Sequence, residues 1–312
     1  MPTYPQHPLE PMDPYMTSIQ PGGGVCMSLE LWWGGVRRAL LKTFFRGYVE
    51  RMRSRRKGRD AGYPHEILDP RDLKFHRNRE GWYWDAADDP FAWRDRLPFA
   101  RVGLCELFVL GGMFFGLAAG LAAVHWAPAV VAGFLGLCVV WFFRNPRRRV
   151  PEGEHLVVSP ADGTIVEILE LDDDFVGGPA LRIGIFLSVF NVHINRSPFA
   201  ARVVGMTYRK GKFLNALLAA SARENEQLEV RLQQTTAPHR PARVRQIAGA
   251  IARRIVCWAK PGDEPGAGEQ FGMIKLGSRT ELVIPREAGL VIACKIGQKV
   301  QAGSSVLAEY QP

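Results

Sequence analysis

The chain has 312 residues, room for one large or two ordinary domains, and its 47% hydrophobic and 23% charged residues exclude wholesale disorder. Five cysteines (Cys26, Cys105, Cys138, Cys257, Cys294), odd in number and with no Cys-x-x-Cys pair, signal neither a disulfide framework nor a zinc knuckle, and suit a reducing compartment. Lys and Arg outnumber Asp and Glu by 40 to 31, a net charge of +9 that suits an anionic partner: a membrane surface, a phosphorylated substrate or nucleic acid.

Residues 1–24 hold six prolines and end in Gly22-Gly23-Gly24, the composition of a disordered tail. The first 36 residues contain no Lys or Arg, unlike a secretory signal. Leu29, Trp32, Trp33, Val36, Leu40, Phe44 and Tyr48 then recur at helical spacing, interleaved with Arg37, Arg38, Lys42 and Arg46. Residues 51–59 follow with six basic side chains and no acidic one. A basic, Trp-bearing amphipathic helix fits an anionic lipid interface, or packs on its own protein. No recognition motif accompanies the basic run, so nucleic acid is not expected as a partner. Residues 61–98 say nothing about chemistry.

From Leu107 to Phe143 there is no charged residue for 37 positions. One helix of that length would reach about 55 Å, too long for a hydrocarbon layer of about 30 Å. His125-Trp126-Ala127-Pro128 offers a turn, so the pattern predicts a transmembrane helical hairpin with arms near 103–124 and 127–143. Gly111, Gly112, Gly116 and Gly120 would let the arms approach closely. Arg94, Arg96 and Arg101 precede it, and Arg144, Arg147, Arg148 and Arg149 follow, which puts both flanks on the cytoplasmic side of the cell membrane.

Beyond Pro151, short β-branched runs at 155–158, 164–169, 181–189, 244–247, 281–284 and 290–296, punctuated by Gly, Pro and Asp, predict a mainly β sandwich or barrel. Residues 212–230 read as a helix, and Gly297 and Gly303 bracket a short strand in the manner of lipoyl-like barrels. Asp172-Asp173-Asp174 reads as a solvated loop, and Lys212 with Asn225-Glu226 as headgroup contacts or helix caps. The expected organisation is an N-terminal extension (1–100), a hairpin (101–143) and an α+β, mainly β domain (144–312).

Three segments of that domain could cooperate. Ser159-Pro160-Ala161-Asp162-Gly163 offers a carboxylate in a turn, Asn191-Val192-His193-Ile194-Asn195-Arg196 an imidazole, and Phe271-Gly272-Met273-Ile274-Lys275-Leu276-Gly277-Ser278-Arg279 a serine after a glycine. Each alone is ordinary structure. Together they can form an orienter, base and nucleophile, since such triads are defined by geometry rather than order. No G-x-S-x-G elbow, P-loop or dinucleotide fingerprint is present. A Ser278 hydroxyl could attack the Gly277 carbonyl, where glycine leaves access and permits a strained backbone. Elimination from the resulting ester would then leave a dehydroalanine, and hydrolysis of its enamine form would give a pyruvoyl group.

Together with Phe142-Phe143-Arg144-Asn145-Pro146, Gly211-Lys212-Phe213, Glu224-Asn225-Glu226 and the stretch 246–255, these segments resemble the phosphatidylserine decarboxylase family, in its shorter, archaeal-like branch. The resemblance covers about 142–310, in order and with natural spacing. It implies cleavage between Gly277 and Ser278, with Ser278 becoming the covalent pyruvoyl group. It implies that Asp162 orients His193 and that His193 acts in self-processing and turnover. The cofactor would be that pyruvoyl group, with no metal and no pyridoxal phosphate. It would form a Schiff base with phosphatidylserine, lose CO2 and yield phosphatidylethanolamine. Long and short chains would stay associated, with anionic lipids as neighbours, and a homo-oligomer is compatible with the pattern. Longer members carry His-x-x-His where this chain has Arg196 in the second position, so Arg196 could hold the substrate phosphate or form a surface salt bridge. A lipid-directed serine hydrolase using the same residues uncut, or a membrane-tethered lipoyl-like adaptor, are the alternatives, and both would leave the chain intact.

Overall fold

The computed structural model describes residues 3–60, 64–216, 220–250, 254–275 and 277–311. The chain divides into two compact units, Gly23–Pro146 and a second built from Met1–Gly22 with Arg147–Pro312. The expected boundaries near 100 and 143 are therefore replaced by 22/23 and 146/147.

In the helical unit, α1 (Val25–Phe44) and α2 (Arg46–Arg55) are separated by Phe45, and a short antiparallel pair joins β1 (Lys57–Arg59) to β2 (Gly81–Tyr83). Helix α1 is amphipathic in an unusual sense. It buries Arg37 against Asp69 and Asp72, with Arg37 Nη2 donating to Asp72 at 2.8 Å, while Trp32 and Phe44 stay about 70% exposed. Next come α3 (Leu104–Ala122) and α4 (Trp126–Phe142), packed as a hairpin, with Phe108, Phe134 and Trp141 turned outward. The His125 Nδ1 caps α4 by accepting from Ala127 N at 3.2 Å. Pro128 sits in that first turn, where a missing N–H costs nothing. The glycines expected to seal the hairpin do not: a Cβ at Gly111, Gly112, Gly116 or Gly120 would meet nothing within 4 Å. Gly136 of α4 does so instead, since a Cβ there would strike the Phe115 ring at 2.8 Å. The segment Arg101–Ala122 is long and apolar enough to cross a membrane, whereas α4, at 17 residues, is shorter.

The second unit is β-rich. Its strands are β3 (Leu156–Val158), β4 (Gly163–Asp173), β5 (Gly178–Leu187), β6 (Ile194–Arg196) and β7 (Ala201–Arg209), followed by the one-turn α5 (Ser221–Glu224). Then come β8 (Gln227–Gln234), β9 (Pro241–Ala248), β10 (Arg254–Cys257), β11 (Gln270–Lys275) and β12 (Ser278–Pro285). The last are β13 (Leu290–Ile292), β14 (Lys299–Val300) and β15 (Val306–Tyr310). A seven-stranded antiparallel sheet runs β14-β4-β5-β12-β9-β8-β7, with three-stranded sheets β10-β11-β6 and β13-β15-β3 beside it. Alternation assigns the faces. Leu282 and Ile284 of β12, Ile183 and Ile185 of β5, Val244 of β9 and Val230 of β8 share one core. The opposite face carries a charge ladder in which Arg279 bridges Glu167 and Glu281, and Arg245 also holds Glu281.

Residues 212–230 are not the expected helix. Among the described residues of that stretch only Ser221–Glu224 is helical, and Gln227–Gln234 is a strand because Leu228, Val230 and Leu232 alternate into the core. Residues 217–219 lie outside the described part. Asp173, read as a solvated loop residue, is buried, accepts from Val176 N at 3.0 Å and pairs with Arg243. The proline-rich tail, expected to be disordered, is bound along the free edge of β7. Glu10 N donates to Val204 O at 2.9 Å, and Tyr208 N donates to Asp13 at 2.7 Å. Met16 enters the core fully buried, and Cys257 N donates to Ile19 O at 2.8 Å. Prolines forbid a helix here but suit an extended segment lying on a sheet edge.

Candidate functional site

Gly277 links β11 of one sheet to β12 of another. It has φ +58, in the left-handed region that a Cβ would disfavour. Its N–H donates to His193 Nε2 at 3.1 Å. The other ring nitrogen, Nδ1, lies 3.0 Å from Asn191 O, so Nδ1 carries the proton and Nε2 the lone pair. The Asn191 carbonyl is held by its own turn: Asn191 N donates to Ser188 O at 2.9 Å, and Asn191 Oδ1 accepts from Ser188 N and Oγ at 2.9 and 2.7 Å. Ile274 N in turn donates to the His193 carbonyl at 3.0 Å. The imidazole is thus fixed from both sides.

Ser278 opens β12 on its core face, paired with Ala248 of β9 and Leu187 of β5. It is fully buried, and its Oγ has no hydrogen-bond partner. An unsatisfied buried hydroxyl costs about 1–3 kcal/mol, so its presence calls for a reason. Two residues along the same face, Thr280 Oγ1 accepts from Asn195 Nδ2 at 3.0 Å, and Asn195 Oδ1 accepts from Gln246 Nε2 at 2.9 Å. This buried network holds β6, β9 and β12 together beneath the serine. Gly249 lies against the Gly277 carbonyl so closely that a Cβ would fall 2.2 Å from the oxygen. Asn225 keeps that corner in place, donating to Ala248 O at 2.6 Å and Leu214 O at 2.8 Å and accepting from Leu214 N at 2.8 Å. Asn225 therefore clamps a loop, while Lys212 pairs with exposed Glu224. Beside Asn225, Glu226 is 2% exposed with an unpartnered Oε1, and burial raises its pKa against the pull of Arg254.

The structure brings His193, Gly277 and Ser278 together but does not join Asp162 to His193. The Asp162 carboxylate takes Arg148 Nη2 at 2.7 and 2.9 Å and Ala302 N at 2.8 Å. Arg196 is not at the serine either. His193 and Asn195 are two residues apart and face β12, whereas Arg196 points the other way and donates to Gly268 O at 2.8 Å. It is 8% exposed, so it is no surface salt bridge. Burial, then the nearby Arg148, lowers its pKa, and Asp162 partly offsets them. Sequence reasoning gave Asn191 and Gly249 no role of their own and read Arg148 as part of the basic membrane flank, whereas it is tied to Asp162. Of these, only the glycine directly after the last β9 residue carried a legible signal, as a place where a backbone approaches closely. Residues 251–253 and 276, which belong to the matching segments, lie outside the described part.

The donor set fits a serine-derived prosthetic group. It consists of a desolvated, unpartnered hydroxyl next to a glycine carbonyl that faces Gly249, and a neutral imidazole on the adjoining amide. Among the described residues, no group of three His, Cys, Asp or Glu side chains is placed to hold a metal ion.

The family profile described as phosphatidylserine decarboxylase matches residues 135–308. A phosphatidylserine decarboxylase proenzyme of Rhodopirellula baltica is 54% identical over 239 residues, 77% of this chain and 99% of its own length. Proteins of the same name from Syntrophus aciditrophicus and Carboxydothermus hydrogenoformans are 43% and 42% identical, covering 56% and 60% of this chain and 80% and 86% of theirs.

Proposed function

The chain belongs to the phosphatidylserine decarboxylase family, and we propose that its Gly277–Ser278 peptide cuts itself to make the reactive group with which it converts phosphatidylserine to phosphatidylethanolamine. The observation that carries this reading is the buried, unpartnered Ser278 Oγ beside a left-handed Gly277.

His193 Nε2 exchanges its contact with Gly277 N for the Ser278 hydroxyl proton, and Oγ adds to the Gly277 carbonyl carbon. The peptide C–N bond breaks, leaving an ester and a free Ser278 amine. Loss of the Ser278 α-proton expels the Gly277 carboxylate and leaves a dehydroalanine. Its imine tautomer takes up water and releases ammonia, giving the pyruvoyl group. Burial favours elimination over hydrolysis of the ester by keeping competing water from it, and a single water must then reach the imine. The family assigns Asp162 to orienting His193. Here Arg148 holds it, so that role requires Arg148 to let go, and until then Asp162 neutralises the Arg148–Arg196 pair.

When present, the pyruvoyl ketone supplies an electrophile for the substrate amine and a sink for the electrons left by CO2. His193, held by Asn191, takes up at Nε2 a proton that the substrate amine gives up on binding, and then returns it to the carbon that lost its carboxyl. Arg196 stays a structural residue in this reading. We place α3 and α4 in the cell membrane, with the β unit, which follows α4 directly in sequence, on the cytoplasmic side. The apolar Arg101–Ala122 segment and the arginines on both flanks support that placement.

Denaturing electrophoresis with mass analysis tests the reading. The processed protein should yield a 35-residue fragment, 278–312, whose mass carries a keto acyl group in place of serine. Ser278→Ala should remain one chain and release no CO2 from carboxyl-labelled phosphatidylserine. A folded wild-type chain that stays whole while releasing CO2 would overturn it.

A further inference from the structure

The helical unit holds a cavity of about 220 Å³ that the chemistry at Ser278 does not use. It lies among α1, residues 65–76, Trp93-Arg94 and the first turns of α3, and is the size of a headgroup rather than a whole lipid. Five cationic side chains face it against two carboxylates, Glu30 and Asp72. Three of the cations are already engaged: Arg37 and Arg38 with Asp72, and Lys74 with Glu30. Arg71 and Arg94 are not; among the described residues neither has a carboxylate within salt-bridge distance. The two guanidiniums share one ring, Arg71 3.8 Å and Arg94 5.1 Å from the centre of Phe91. Arg71 Nε is buried without a hydrogen-bond partner.

Positive charge is dense here, offset in part by Asp69 acting on Arg71 and by Glu30 and Asp89 acting on Arg94. Burial, then Arg37 and Arg94, lowers the Arg71 pKa; burial, then Arg101, lowers that of Arg94. His65 is pushed down to about 4 by burial, then Arg38 and His76, and so stays neutral. Arg71 and Arg94 are both only half-buried, and like charges held side by side in that setting favour a bound anion.

We propose that this cavity binds the phosphate of an anionic phospholipid, with Arg71 and Arg94 as its donors. A guanidinium pair matches phosphate oxygens in geometry as well as charge. A lipid is favoured over a soluble phosphate because the lining changes from arginine to Leu104 and Phe108 where α3 begins, and Phe108 is 64% exposed along the path acyl chains would take. Trp33 and Trp93, both about half exposed, line the same cavity and suit an interface. The inference rests on the membrane placement of α3 and α4.

Native mass spectrometry of the full chain, from micelles with equimolar phosphatidylglycerol and phosphatidylcholine, provides the test. One phosphatidylglycerol should be retained selectively. Arg71→Ala with Arg94→Ala should lower its occupancy at least about tenfold, and Lys at both positions, which keeps the charge but not the fork, should lower it by less than the alanine pair does. Equal retention of the two lipids, or no loss in the alanine variant, would overturn the proposal. Displacement by an equal concentration of glycerol phosphate would make the ligand a soluble ester and overturn the lipid assignment. The same spectra report the chain masses, so failure of the cut at Ser278 is read separately. Carbonate extraction tests the hairpin's membrane placement on its own.

Discussion

Ser278 differs from its buried neighbours in what its oxygen touches. Ser159 and Ser197 each donate to a carbonyl at 2.7 Å, and Thr280 accepts from Asn195, whereas the Ser278 Oγ is left without a partner. A hydroxyl with no competing hydrogen bond is free to turn on the adjoining carbonyl. Access to that carbonyl depends on Gly249. Gly249→Ala would force its Cβ against the Gly277 oxygen at a cost of about 1–3 kcal/mol, and self-cleavage followed by electrophoresis should slow at least tenfold. Asp162→Asn would leave the buried guanidinium of Arg148 beside Arg196 without its carboxylate. A loss of about 3 kcal/mol is expected in denaturant melts, with slower cleavage. Glu226 supplies a pH handle. Its folded pKa lies above its unfolded value, so its share of stability is complete below the normal carboxylate range and is lost as pH rises through the folded pKa. Glu226→Gln should flatten the fall in melting temperature as pH rises above the normal carboxylate range, relative to wild type.

Among elements, the tail and the β10–β11 pair decide most about the site. β7 ends the large sheet, and an uncovered edge invites pairing with other chains. Residues 3–22 cover it and then reach β10 through Ile19 and Lys275 through Gln20, two residues before Gly277. Met16→Ala should cost about 2–4 kcal/mol in denaturant melts, because a fully buried side chain leaves a cavity in the common core. The hairpin shows the same limit of local reasoning. Its arms were legible within two residues, from the charge-free run and the His125–Pro128 turn. The glycine that matters was not, because spacing along one helix does not show which face its partner will take.

At the scale of the molecule, the sequence is interleaved: one β-rich unit is built from the two ends of the chain, with the helical unit between them. Six strand positions were readable because β-branched runs bounded by Gly, Pro and Asp specify extended backbone locally. Gln227–Gln234 was not, since its apolar residues alternate among long polar side chains that also suit a helix, and pairing with β7 and β9 settles the matter. The sequence by itself determined the family and with it the class of chemistry, because an ordered set of segments is a covalent feature that needs no folding to be recognised, and it placed the proposed centre in one of them, at the Gly277–Ser278 bond. It also determined the charge-free hairpin, since exclusion of charge is written in composition. Only the tertiary structure decided that His193 rests on the Gly277 amide, that Asp162 is held by Arg148, that Arg196 faces away and that the tail belongs to the β unit. Those facts depend on which strands become neighbours and on where each buried polar atom finds a partner, and both are settled by packing across the whole fold.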